Sequence, residues 1–412
     1  MNIIEKDVII VGGGPAGLAA AVRLRENDVE NILILERENH LGGILRQCIH
    51  DGFGLTRFGK SLSGPEYAQR FIDDVEKFGI AYLVNTTVID ITPDKRVFAV
   101  SRDGMTCYQA KAVVLTMGCR ERTRGAIGIP GARPTGVYNA GVAQSYINLY
   151  NTMVGREIVI LGSGDIGMIM ARRLSLEGAH VKAVFEIQPY PSGLPRNIEQ
   201  CLRDYDIPLF LSHTVTRIHG IGRIEGITVS QVDDKMCPII GTERYYTCDT
   251  LILSVGLIPE NELSRLAGVV LDPQTQGAMV DNHLQTSIPG IFAAGNVLHV
   301  HDLVDFVSIE AEQLANAVVR YLSAETPATA TISIRAGRNV GQLIPQKAYA
   351  GEDFKVSFRV RAPMERCSIV ICQNGHRVAV KKIQKAIPAQ MLEMRVACSG
   401  LLPEGEIEVN VE

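Results

Sequence analysis

The sequence predicts an α/β fold in which one strand–turn–helix unit occurs twice, the second copy nested in the first, ahead of a small all-β domain. Three observations predict it. Glycine-rich turns recur at Gly12-Gly13-Gly14-Pro15-Ala16-Gly17 and Gly162-Ser163-Gly164-Asp165-Ile166-Gly167. Each turn sits between an apolar run and a helical pattern, and each is followed by a second apolar run ending on an acid, Glu36 or Glu186, at the same 24-residue offset. Beyond residue 330 or so the apolar pattern changes from helical to alternating.

The elements follow in order. Val8-Ile9-Ile10-Val11 reads as a buried strand, and Leu18 to Arg25 as the helix after the turn. Gly12 permits the tight turn, Gly14 lets the backbone approach a pyrophosphate, and Gly17 lets helix and strand pack closely. Pro15 and Ala16 open a helix whose free N–H groups and dipole favour phosphate. Glu36, ending Ile32-Leu33-Ile34-Leu35, is placed to accept a ribose hydroxyl. These are the marks of a Rossmann-like dinucleotide-binding unit. The strand Ala112 to Thr116, ending at Met117-Gly118, returns the chain to the same sheet.

The second copy repeats each part. Ile158 to Leu161 leads into Gly162, Gly164, Asp165 and Ile166, then a helix from Met168 to Leu176. Val181 to Phe185 ends on Glu186, and Thr250 to Val255 returns to Gly256. A carboxylate at Glu186 repels a 2′-phosphate and so favours NAD over NADP, with Lys182 weakening the preference slightly. The first unit resumes near Pro259, runs through Ile291-Phe292-Ala293-Ala294-Gly295-Asn296, and ends in a helix from about Asp302 to Ala324. Asp302 and Asp305 are expected as its N-cap and first-turn acid. Ser323 to Ala330 reads as a linker, and Phe354–Arg361, Arg377–Val380 and Glu406–Val411 as antiparallel strands. The expected domains are 1–122 with 259–325, then 123–258, then a β-sandwich-like 326–412.

A net charge of −4 gives no reason to expect nucleic acid as a partner, and no apolar run is long enough to span a bilayer. Nine cysteines without a spacing framework suggest reduced thiols in a cytoplasmic protein.

On these motifs, residues 1 to 325 resemble the FAD/NAD-linked pyridine-nucleotide oxidoreductases. The stretches Gly42 to Gly54, Gly118 to Arg122 and Gly295 to Asp305 further resemble flavoprotein subunits that accompany an anaerobic glycerol-3-phosphate dehydrogenase-like flavoprotein. Opine oxidase, hydrogen cyanide synthase and sarcosine oxidase α-type subunits are more distant likenesses. The resemblance implies FAD on the first unit, at Gly12, Gly14, Pro15, Ala16, Gly17, Glu36, Arg37, Gly43, Arg46, Gly118, Gly295, Asn296, Asp302 and Leu303. It implies NAD on the second, at Gly162, Gly164, Asp165, Ile166, Glu186 and Gly256. It also implies a hetero-oligomer with a partner dehydrogenase flavoprotein, whose electrons arrive directly or through an iron–sulfur subunit. Asn296 departs from the aspartate that the family places there to hold the ribityl chain.

Gly42-Gly43 is followed by Cys48 alone, which excludes the dithiol of disulfide reductases at this position. Cys48 remains a candidate catalytic thiol of peroxidatic type, the basis of an alternative reading as a stand-alone NADH oxidase or peroxidase; the competing account is a small buried helix residue. His50 reads as a wall residue. His299-Val300-His301-Asp302 has ligand-type side chains, but neighbouring positions on a turn rarely converge on one ion, and no metal is expected. Cys367 and Cys372 fall on opposite strand faces, and Arg120, Arg122 and Arg124 form a basic cluster.

Overall fold

The computed structural model of the chain describes residues 3–324 and 331–412. It divides into two compact units, Met1–Cys119 with Pro259–Glu412, and Arg120–Ile258. The chain passes between them twice, at Cys119–Glu121 and Leu257–Pro259. Among the described residues no helix is long and apolar enough to cross a membrane.

In the first unit the strand Ile3–Val11 lies between Ile32–Leu35 and Gly104–Leu115, parallel to both. Ala81–Leu83 extends the sheet beyond the acid-ending strand, and Ile291–Ala293 pairs with the return strand. Val8, Ile9, Ile10 and all of Ile32–Leu35 are buried, as expected of parallel strands covered on both faces. The helix Pro15–Glu26 buries an almost continuous run, Ala16 to Val22 with Leu24, against the helix Val304–Leu322 and the sheet. Alanines there allow close helix approach, and each fully buried Leu or Ile contributes roughly 1.5–3 kcal/mol.

The second unit repeats this plan. Glu157–Leu161 lies between His180–Phe185 and Thr250–Leu253, with Leu209–Phe210 beyond the former and Val137–Asn139 beyond the latter, all parallel. An antiparallel sheet of His213–His219, Gly226–Gln231 and Arg244–Thr247 completes it.

The C-terminal strands form two facing sheets. One holds Lys347–Tyr349, Thr331–Ala336, Glu406–Val411, Met364–Gln373 and His376–Ala386; the other holds Val340–Ile344, Phe354–Val360 and Leu392–Val396. Ile334, Phe358, Ile371, Val396 and Val409 meet in their own core, which makes this part a β-sandwich. It lies in the same compact unit as the first nucleotide fold. Of the expected linker, Ser323 caps the preceding helix, and 325–330 lie outside the described residues.

Candidate dinucleotide sites

The first turn is built as its glycines require. Gly12 has φ of 106°, and a Cβ there would stand 2.6 Å from the Thr116 carbonyl oxygen. At Gly17 a Cβ would overlap the Gly12 carbonyl oxygen, so helix and turn touch backbone to backbone. Gly14 caps the helix without any side chain closing its end, which leaves first-turn N–H groups open to a phosphate. Gly43 lies against this turn, its missing Cβ only 3.0 Å from the Gly14 Cα. The Gly295 segment reaches the same helix start, at Ala16.

Glu36 is 6% exposed and holds the turn shut: Oε2 accepts the Gly13 N–H at 2.7 Å and Oε1 the Glu38 N–H at 2.8 Å. A carboxylate has about four acceptor sites, so two remain for ribose hydroxyls. Gly118, at φ of 74°, has nothing within 4 Å of a would-be Cβ. Arg37 extends outward beside Glu38, and Arg46 lies on the short helix Gly43–Gln47, packed over Gly42. The open helix end, the half-used Glu36 and the glycine cradle fit FAD.

Three side chains here have partners beyond those expected. The long helix begins at Val304 with Leu303 at its cap, so Asp302 does not cap it, whereas Asp305 lies in its first turn as expected. From there Asp305 accepts the N–H groups of Gly54, Thr56 and Arg57 at 3.0, 3.0 and 2.7 Å, organising a remote loop. Asp302 accepts from Met391 N–H and pairs with Arg359 of the sandwich at 3.6 Å. Arg359 also donates to the Val300 carbonyl. Asn296 accepts the His301 N–H through Oδ1 and donates Nδ2–H to the Cys119 sulfur.

His299 and His301, expected not to converge, do so on Glu310, one helical stretch away. His299 Nε2 lies 2.8 Å and His301 Nε2 3.4 Å from Glu310 Oε2, while Oε1 accepts the Gly295 N–H. Two imidazoles and a backbone amide thus converge on one carboxylate. Burial, then the adjacent His301, holds His299 below its ordinary pKa; burial alone would raise Glu310, but the two imidazoles beside it hold it low.

Cys48 ends the short helix, and its thiol donates to the Ile44 carbonyl at 3.4 Å. Burial pushes it up to about 12, so the thiolate required of a peroxidatic residue is disfavoured. Cys48 packs against Gly64, whose Cβ would lie 2.8 Å from the Cys48 Cβ, and is half-buried just past the helix rather than fully buried within it.

In the second unit the same bonds recur. Glu186, 3% exposed, accepts Ser163 N–H on Oε2 at 2.9 Å and Gln188 N–H on Oε1 at 2.9 Å. Gly162 has φ of 100° over Ser254, Gly164 caps the helix Asp165–Leu176 without side-chain closure, and Gly167 N–H donates to Ser254 Oγ. Ile166 lies in the first helical turn, and Gly256 turns at φ of 102° beside Arg122. Thr116 and Ser254 hold equivalent places two residues before Gly118 and Gly256. The sequence repeat contained them, but a small hydroxyl residue carries no periodic signal.

Two expectations for this unit are amended. Asp165 also braces the loop beyond Gly193: its Oδ1 accepts Leu194 N–H and Asn197 Nδ2–H at 2.8 and 2.6 Å. Lys182 does not modulate Glu186, because its ammonium donates to Thr247 and pairs with Glu157. Arg124 leaves the supposed basic cluster, binding the Ile129, Gly131 and Ala132 carbonyls.

Residues 6–337 match the pyridine nucleotide-disulphide oxidoreductase family. A ferredoxin–NADP reductase of Picrophilus torridus is 23% identical over 77% of this chain and 95% of its own length. A thioredoxin reductase of Listeria monocytogenes is 27% identical over 71% and 85%. The small chain of Escherichia coli NADPH glutamate synthase is 26% identical over 77% and 69%. Among solved structures, thioredoxin reductase of T. acidophilum superposes with a TM-score of 0.62 at 24% identity, over 76% of this chain and 98% of that one. The chain therefore belongs to the pyridine nucleotide-disulphide oxidoreductase family, as an FAD-dependent enzyme that works with a pyridine nucleotide.

Proposed function

We propose that the chain exchanges electrons between NAD(H) on the Gly162 turn and FAD on the Gly12 turn. The observation that carries this reading is the duplicated carboxylate geometry, in which Glu36 and Glu186 each take one turn N–H and one N–H two residues on. When bound, the two cofactors supply hydride exchange between flavin N5 and nicotinamide C4. The chain's own work is to bind and orient: the open helix ends take pyrophosphates, and the buried acids take ribose hydroxyls. Glu186 favours NAD over NADP, since the described partners of its carboxylate are serine hydroxyls and backbone N–H groups, with no cation to neutralise a 2′-phosphate. The chain contains no Cys-x-x-Cys, which favours a flavin-to-nucleotide route over a dithiol relay.

We further propose that the chain is one subunit of a glycerol-3-phosphate dehydrogenase-type complex, receiving electrons from a partner dehydrogenase flavoprotein, directly or through an iron–sulfur subunit. The sequences around Gly42, Gly118 and Gly295 support this; the curated relatives described above carry other names.

Anaerobic titration of the flavin-loaded chain tests the first reading. NADH is expected to bleach the visible flavin band and NADPH to leave it largely intact. Bleaching by neither nucleotide overturns the proposed route for this chain.

A further inference from the structure

The two acids, otherwise matched, differ in how far they are already satisfied. Among the described residues Glu36 accepts two backbone N–H groups and no side-chain donor. Glu186 accepts the corresponding two and, in addition, two hydroxyls on the same oxygen: Ser163 Oγ at 2.6 Å and Ser192 Oγ at 2.7 Å, both to Oε2. Oε2 therefore carries three donors, more than its two lone pairs accommodate comfortably, and the residue is almost fully buried.

Ser192 belongs to a loop laid across the turn. Its N–H donates to Ser163 Oγ at 2.9 Å, and the Leu194 N–H donates to Asp165. Gly193 packs so closely that a Cβ would overlap Met168 and stand 2.9 Å from the Ser163 carbonyl oxygen. The loop is thus fastened to the fingerprint turn at Ser192, Gly193 and Leu194.

We propose that Ser192 tunes the affinity of this site: its hydroxyl occupies on Glu186 the seat of a ribose 2′-hydroxyl until the nucleotide displaces it. The inference rests on the proposed role of this unit in binding NAD(H). Its chemical logic is donor for donor. The 2′-hydroxyl of NAD(H) brings one O–H and replaces the serine hydroxyl without leaving Glu186 unsatisfied. A 2′-phosphate brings negative charge and, when fully ionised, no donor, so displacing Ser192 would leave two anions facing each other in a buried place. The serine therefore keeps the seat shaped for a donor, and it sets a cost that every incoming nucleotide meets.

The test is calorimetric titration of the full-length, FAD-loaded chain with NAD⁺, ADP-ribose and NADP⁺, for wild type, Ser192→Ala and Ser192→Thr. Removing the competing hydroxyl is expected to tighten NAD⁺ and ADP-ribose roughly fivefold to tenfold, the scale of one hydroxyl–carboxylate bond. Ser192→Thr, which keeps the donor, is expected to match wild type. NADP⁺ is expected to stay weak in all three, and flavin content unchanged. A loop that merely shapes an adenosine pocket predicts the opposite sign. If wild type binds NAD⁺ and Ser192→Ala binds it equally or more weakly, the seat-holding role is overturned while the NAD reading stands. If no variant binds NAD⁺ or ADP-ribose, both fall together.

Discussion

Replacing Glu36 by Gln removes the charge that the Gly13 and Glu38 N–H groups share, and leaves one amide facing another donor. Such a variant is expected to hold FAD about tenfold more weakly, read as the flavin-to-protein absorbance ratio after gel filtration. Full flavin retention would refute the ribose role of Glu36. Cys48→Ser, by contrast, is expected to change NADH-dependent flavin reduction less than about twofold, because the half-buried thiol, pushed up to about 12 by desolvation, is not poised as a thiolate. At this scale the legible residues were those with a fixed spacing: Gly12, Gly17, Glu36 and their partners in the second copy. Ser192 was not legible. Its bond to Glu186 spans an irregular loop, and nothing in Pro191-Ser192-Gly193 distinguishes that hydroxyl from a solvated one.

The helix Val304–Leu322 shows the same division one level up. Its apolar stripe gave its existence and nearly its length, since burial of Val307, Ala311, Leu314 and Val318 needs helical spacing. Asp305 sits in the first turn as expected, but Asp302 misled, because a capping aspartate and one that pairs with a distant arginine look alike in sequence. Asp305→Asn is expected to destabilise the Gly54–Arg57 loop by about 2 kcal/mol, seen as faster amide exchange there than in wild type. The Glu310 cluster gives this element a pH dependence. His299, held below its ordinary value of 6.5, leaves the folded state with fewer protons than the unfolded chain, so stability present above that pH is lost as pH falls below it. Glu310, held below 4.5, adds a further loss at lower pH. His301, Arg359 and Glu310 are the ionisable groups facing His299. Thermal unfolding midpoints are expected to drop between about pH 7.5 and about pH 5, and His299→Gln to flatten that slope; an equal slope in the variant would remove His299 as the cause.

Across the whole molecule, the nested repeat was readable because parallel strands buried on both faces leave continuous apolar runs, and both return strands end on glycine. The attachment of the sandwich was not readable, since it depends on single polar pairs far apart in the chain. Gln346 meets Val280, Tyr349 meets Asp281, Glu352 meets His283, and Arg359 meets Val300 and Asp302. The peptide link after Ala324 is therefore only one of several fastenings. Cleaving a protease site engineered between Ala324 and Thr331 is expected to leave two fragments that travel together on a sizing column, with the flavin still aboard. The sandwich behaves as a keystone wedged beside the Val300–Asp302 loop rather than as baggage on a tether, and a shortened gene that ends at the long helix would surrender the brace along with the baggage.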